Sequence, residues 1–317
     1  MVLPRDRGQW HLAVGNINLD ISLYVPRLPE PEEVVFAEEA WIGLGGAATN
    51  YAVAISRMGQ RSRLLAVASG IVERLGLLKA LEDAGVDTSS IAVMGGSPGI
   101  VVVMNVIGGS HKSRVAMRGV NTRLPSFIEE GLRSWTPGSP CHIHLASIPP
   151  ALLSSLNAAP TGCTSSYDPG GEAFRRGAEL LAWLSAVDWV FINTSELKGL
   201  TGRGEALAAI KLLEAGARMV VVKHGSGGAT LLSRTGCITV SRLPGVKPVD
   251  VTGAGDAFDA AFNIAVKAGA DLGDALRVAS AAGSAKVLKK GSSNMPSREE
   301  VEAMLRHVGE AVDCSVS

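Results

Sequence analysis

An α/β fold, with a mostly parallel central sheet between helices and a small β-sheet lid, is what this 317-residue chain predicts. Three observations carry that expectation. Short apolar runs alternate with helical periodicities for nearly the whole length, the order that builds parallel strands covered on both faces. Two stretches in the first half break the alternation, reading as valine-rich strands with turn residues and no helix between them. The final third turns strongly helical. Hydrophobic residues make up 46% of the chain and aromatic residues only 4%, beside 37 glycines, which suits a Val/Ala/Leu core with many tight turns rather than a disordered chain.

Taken in order, the first strand-like run is Trp10 to Ile17. The first irregular stretch follows, Ile21 to Ile42, and then a strand at Ser62 to Ala68. The second irregular stretch is Gly99 to Met117. Strands are then expected at Cys141 to Ala146, Cys163 to Tyr167, Trp189 to Asn193 and Arg218 to Lys223, most of them separated by amphipathic segments. Three helices close the chain, Gly255 to Lys267, Asp271 to Leu288 and Ser297 to Val308, with the loop "KKGSSNMP" joining the last two. No repeat, low-complexity segment or long linker is visible, so residues 1–317 read as one domain with inserts at about 21–42 and 99–117 forming a flap over one end of the sheet.

Lys+Arg and Asp+Glu both total 30, so no global field favours nucleic acid or an acidic membrane, and a small-molecule partner is expected. No apolar run approaches the ~20 residues of a membrane span. Cys141, Cys163, Cys237 and Cys314 stand far apart, with no CxxC pair and no zinc spacing. Reduced cysteines and a cytoplasmic location are expected on that ground. His142 and His144 alternate on a strand with no third ligand nearby and read as packing residues.

The segment "VDVTGAGDAFDAAF", Val249 to Phe262, carries the chemistry. Gly253, Ala254 and Gly255 lead into a helix, and a helix start presents unpaired N–H groups with about half a unit of positive charge. With no bulky side chain in the way, those amides can close around a phosphoryl group and hold developing negative charge. Asp256 stands within reach of the same spot, where a carboxylate can take a proton from an attacking hydroxyl. A helix cap and a simple turn explain the same residues equally well locally. The common nucleotide fingerprints are absent: there is no GxxxxGK[ST] and no HRD, and "GLGGAA" does not directly follow the first strand as a dinucleotide turn should.

Two separated motifs, "GLGGAATNYAVAISRMG" at Gly43 to Gly59 and "VDVTGAGDAFDAAF", give the chain its resemblance to the ribokinase-like sugar kinases, the phosphofructokinase-B type family. "VGNINLD", "INTSEL", "VVVKHGSGGATL" and "KKGSSNMP" extend it from Val14 to about Val308. The resemblance implies a ribokinase-like fold and Mg-ATP-dependent phosphorylation of a sugar or nucleoside hydroxyl. It implies Asp256 as base, with Gly253, Ala254 and Gly255 as anion hole. Asn18, Asp20, Gly45, Gly46 and Asn50 then face the substrate. Asn193, Glu196, Lys223, Gly225 and Gly228 face ATP, with Glu196 acting on Mg2+ through water. Asp250 and the Thr252 carbonyl, with the "KKGSSNMP" loop, fall where relatives bind a monovalent cation such as K+. Paired lids in the family imply a homodimer.

The chain departs from ribokinases proper where Ala47 replaces a sugar-contacting lysine, and where "ASGIVERLG" replaces an acidic Gly-Asp pair after the third strand. Lys112, Arg114 and Arg118 form a basic hairpin beside the lid, read either as a charged sheet edge or as a grip on a substrate phosphate. The lid strands offer Tyr24, Phe36, Trp41, Met104 and Asn105 to cover a ligand. A free sugar or sugar-like polyol is the leading acceptor. The form "GGAATN" and the segment "YDPGG" also resemble nucleoside kinases, and a non-catalytic sugar sensor is the alternative of another class.

Overall fold

Val220, Val221 and Val222 are consecutive and all buried, which requires a strand covered on both faces. In the computed structural model, which describes residue 3 and residues 8–108, 112–137, 140–201, 205–241 and 243–314, that strand lies within a large, mainly parallel sheet. The strands are β1 (Trp10–Gly15), β2 (Asn18–Val25), β3 (Glu39–Gly45), β4 (Arg61–Ser69), β5 (Val86–Asp87), β6 (Ile91–Met94), β7 (Gly99–Val106) and β8 (Lys112–Met117). They continue with β9 (Cys141–Ala146), β10 (Thr164–Asp168), β11 (Trp189–Asn193), β12 (Met219–Lys223), β13 (Gly228–Ser233), β14 (Gly236–Ser241) and β15 (Val312–Asp313). The large sheet runs β15-β14-β13-β12-β11-β10-β9-β1-β4-β5, with β6 also on β4. Pairing is parallel from β5 to β12 and antiparallel from β12 to β15.

Alternate residues of the strands feed two cores. Phe191 and Val221 pack with Tyr51, Phe262 and Ala279 from the helices Ala47–Arg57, Ala254–Lys267 and Leu272–Lys286. Ile192, Val220 and Val222 pack on the other face with Ile128 and Leu132 of Pro125–Ser134 and Leu212 of Glu205–Glu214. Each such side chain contributes roughly 1.5–3 kcal/mol by leaving water. The last helix, Arg298–Leu305, begins with a capping box in which Ser297 and Glu300 satisfy each other's backbone amides.

A second, four-stranded sheet, β3-β2-β7-β8, stands apart from the first. Its strands come from the two stretches that broke the helical alternation, although the first begins at Asn18 rather than Ile21. β1 ends at Gly15, two residues before the expected Ile17, because Asn121 holds the crossing between sheets: it accepts from Ile17 N at 3.3 Å and donates to Ile17 O at 3.1 Å. Residues 109–111, within the second stretch, lie outside the described residues.

His142 and His144 are fully enclosed within a polar ladder between the sheet and two helices. Ser166 Oγ joins them at 2.8 Å each, Asn263 bonds Ser166 and Tyr51, and Tyr51 bonds His11 at 3.0 Å. Burial pushes His11 and His144 down to about 3 and His142 well below the usual range, so all three stay neutral.

The cysteines correct the sequence expectation. Cys141 is bonded to Cys163 and Cys237 to Cys314, with Cα atoms 4.7 and 5.1 Å apart. Neighbouring strands bring them together: β9 and β10 pair with His142 opposite Thr164, and Cys314 N donates to Cys237 O at 3.0 Å beside β15. Sequence separations of 22 and 77 hide contacts that exist only once the strands are ordered. Among the described residues no helix is long and apolar enough to cross a membrane.

Candidate active site

The ends of the parallel strands, the first turns of two helices and the small sheet enclose a cleft of about 690 Å³. That is the size and position expected of a ligand site in an open α/β sheet. Asn18, Asp20, Gly46, Asn50 and Arg114 lie on one flank, and Asn193, Glu196, Lys223, Gly225 and Gly228 come from the C-terminal half of the chain. Thr252, Gly253, Ala254, Gly255 and Asp256 line it as well. Gly45 and Asp250 are not part of the lining but adjoin it through Asp20 and Thr252.

Gly253 has φ 83° and precedes the Ala254–Lys267 helix. The left-handed conformation suits glycine, and any Cβ there would collide with the Ser292 carbonyl, so the tight turn depends on this residue. The first-turn amides that follow have no acceptor within the helix. Partly buried Lys223 and fully buried Lys286 flank the turn. A Cβ on Gly255 would stand 3.2 Å from Lys223 Nζ, and one on Gly253 would stand 3.3 Å from Lys286 Cε.

Asp256 lines the cleft and accepts from Asn50 Nδ2 at 2.6 Å. Burial raises its carboxyl to about 6 despite that hydrogen bond, and the Asp168 charge adds to the rise. Asn50 Oδ1 remains buried without a hydrogen-bond partner. Asp20 Oδ1 is in the same condition, on a residue only 5% exposed, and burial raises Asp20 to about 6 as well. Gly45 makes room for it, since a Cβ there would overlap the Asp20 carboxylate. Asn18 and Asp20 lie at the start of β2, and Asn121 Nδ2 orients Asn18 by donating to its Oδ1 at 2.9 Å.

Lys223 is neither solvated nor free. Its ammonium donates to Asp168 at 2.7 Å and to both oxygens of fully buried Asp259, at 2.9 and 3.1 Å. Burial opposes charge on Asp168, but Lys223 and a hydrogen bond from Asp259 together hold that carboxyl below its ordinary range; burial pushes Asp259 well above its own. Glu196 is raised to about 7 by burial and by Asp168. Its Oε2 accepts from Asn193 N at 3.0 Å, while its own amide donates to Asn193 Oδ1 at 2.9 Å. Among the described residues no group of three or more acidic, His or Cys side chains could cage a metal ion. A divalent cation here would rely on phosphate oxygens and water, with Glu196 nearby, as Mg2+ commonly does.

Arg114, one of the two readings of the basic hairpin, does line the cleft, whereas Asp168, Asp259 and Lys286 are not among the site residues expected from the sequence motifs. Asp259 and Asn263 had a visible signal, two polar residues four apart within the apolar helix "AFDAAFNIAVK". Arg118 instead forms an ion pair with buried Glu172, and the Lys112 side chain lies outside the described residues. Tyr24 OH donates to Asp250 at 3.2 Å, tying the small sheet to the segment before the Ala254–Lys267 helix, and Ser292 Oγ donates to Leu44 O at 3.0 Å, tying it to the loop after the Leu272–Lys286 helix.

Residues 11–120 and 155–299 match the family model described as pfkB family carbohydrate kinase. The chain is similar to the ATP-dependent ribose-1-phosphate kinase of Halopiger xanaduensis, 30% identical over 93% of this chain and 97% of that protein. It is also similar to the nucleoside kinase of Methanothermobacter thermautotrophicus, at 28% identity over 91% and 93%. Among solved structures, the Arabidopsis thaliana ribokinase complexed with ribose and ATP superposes with a TM-score of 0.74, at 26% identity and covering 96% of this chain and 99% of that one.

Proposed function

The chain belongs to the pfkB family of carbohydrate kinases, phosphotransferases with alcohol acceptors, and on that premise we propose that it transfers the γ-phosphoryl group of ATP to a hydroxyl of a sugar or sugar-like polyol. One observation carries the choice of acceptor. Asp20 Oδ1 and Asn50 Oδ1, two buried acceptors without partners, line the same cleft as Asp256. Leaving such groups unpaired costs about 1–3 kcal/mol each, which hydroxyl donors of a polyhydroxylated ligand would recover.

Mg-ATP, when bound, supplies the phosphoryl group and a diphosphate that leaves. Asp256 takes the proton from the acceptor hydroxyl, and Asn50 fixes the orientation of its carboxylate. The amides of the Gly253–Gly255 turn hold the charge that builds on the transferring group, with Lys223 and Lys286 adding positive potential beneath them. Asn193 orders Glu196 toward a hydrated Mg2+, while Gly225 and Gly228 leave room for the nucleotide. The small sheet acts as the lid over the acceptor. Exposed Ile42, Val115 and Met117 on that sheet support a homodimer. Dependence on cellular Mg-ATP supports a cytoplasmic place of work; the two disulfides pull the other way.

Arg114 favours a second reading. It stands in the cleft close enough to offset part of the rise that burial imposes on the Asp20 carboxyl, and it suits an acceptor that already bears a phosphate. A panel of free sugars, sugar 1-phosphates and nucleosides, with coupled detection of ADP, separates these. Turnover of free sugars is the expected result. Turnover of sugar phosphates alone, with Arg114→Ala raising KM for them, would select the second reading, and turnover of nucleosides alone would overturn both.

A further inference from the structure

The resemblance to sugar kinases places a monovalent cation at Asp250, the Thr252 carbonyl and the loop Lys289 to Pro296. The residues found there do not fit one. Lys286, the last residue of the Leu272–Lys286 helix, is 0% exposed. Its ammonium donates to the Lys289 carbonyl at 3.1 Å, so a carbonyl of that loop already faces a positive charge. The lysine stem runs under the turn, 3.3 Å from where a Gly253 Cβ would be. Asp250 is also largely committed. Its Oδ2 accepts from Gly291 N at 3.0 Å and Tyr24 OH at 3.2 Å, and its Oδ1 from Thr252 N at 2.9 Å.

Lysine is almost never fully buried without a compensating partner. Burial lowers the affinity of Lys286 for its proton, and the two carboxylates that oppose this most strongly are Asp250 and Asp256. The charges that favour its ammonium form are thus those of the two acids to which the resemblance gives the cation site and the proton transfer.

We propose that the Lys286 ammonium is a built-in substitute for the monovalent cation, so that this chain neither binds nor needs K+. An ammonium group carries the same single charge as K+ and nearly the same radius. It also has directional N–H donors, which suit the Lys289 carbonyl, and its tether removes the need to capture an ion from solution. A second cation beside it would meet like-charge repulsion in a water-poor pocket. The lysine thus holds the turn electropositive from one side while Lys223 does so from the other.

The test compares K+ with tetramethylammonium at equal ionic strength. Thermal unfolding reports on cation binding without reference to phosphoryl transfer, so it stands even if the acceptor assignment fails. Expected results are equal melting midpoints and equal rates in the two salts for the unaltered chain. Lys286→Ala should lose about ten- to a hundredfold in kcat in tetramethylammonium, and K+ should restore part of that rate and raise the melting midpoint. A merely structural lysine would give a variant indifferent to the choice of cation. K+-specific stabilisation or activation of the unaltered chain overturns the proposal, and that measurement needs no variant to fold. So does a folded Lys286→Ala chain that shows no response to K+.

Discussion

Asp256→Asn is expected to lower kcat by about 10²–10⁴-fold while leaving nucleotide binding and the fold in place. Asparagine keeps the shape and can still accept from Asn50 Nδ2, which now reaches Asp256 at 2.6 Å, so little but the basic oxygen is lost. The pH profile gives the same residue a second signature. A carboxyl raised to about 6 must be ionised to take a proton, so the rate should fall as pH drops through 6 and level off above about 7. The residual activity of the variant should lack that limb. Steady-state kinetics from pH 5 to 8 with a coupled ADP assay read both effects. A variant within about tenfold of the parent, with the limb intact, would remove Asp256 from the chemistry.

Lys223→Met should be the most destabilising of the changes considered. Its ammonium is the cation between Asp168 and Asp259, whose side chains are 11% and 0% exposed. Removing one partner of a buried pair costs about 3–5 kcal/mol, because the remaining charge is stranded out of water. Lys223 also lowers the Asp256 carboxyl, so its loss should move the acidic limb of the rate profile upward. Chemical denaturation would read the first effect, and adding Asp168→Asn should recover part of it by removing the stranded charge. A single variant within about 1 kcal/mol of the parent would show that the triad contributes little to stability.

Much of this molecule can be read from its sequence, for local reasons. β11 is found at Trp189–Asn193, as expected from its apolar run, and the capping pair Ser297 and Glu300 announces the final helix one residue ahead. Glycine at 253 marks a turn that no other residue could enter without strain and collision. What escaped depends on distance along the chain. β13 and β14 are missing from the strands expected of the sequence, because an antiparallel edge shows itself by the strand it joins, here β12. Asp168 and Asp259 are ordinary acids in sequence and become a triad with Lys223 only when two strands and a helix converge. The disulfides belong to the same class, as does Lys286, which reads as one more basic residue near "KK" until burial places it under the turn.

The most direct measurement is a crystal structure of the chain with ADP, a planar metal fluoride in place of the moving phosphoryl group, and an acceptor identified by the panel. The fluoride should lie within hydrogen-bonding distance of the amides of Gly253 to Gly255, with the acceptor oxygen between it and the Asp256 carboxylate. A fluoride seated elsewhere in the cleft, or an acceptor hydroxyl turned toward another residue, would contradict the assignment of this helix end as the place where phosphate changes hands.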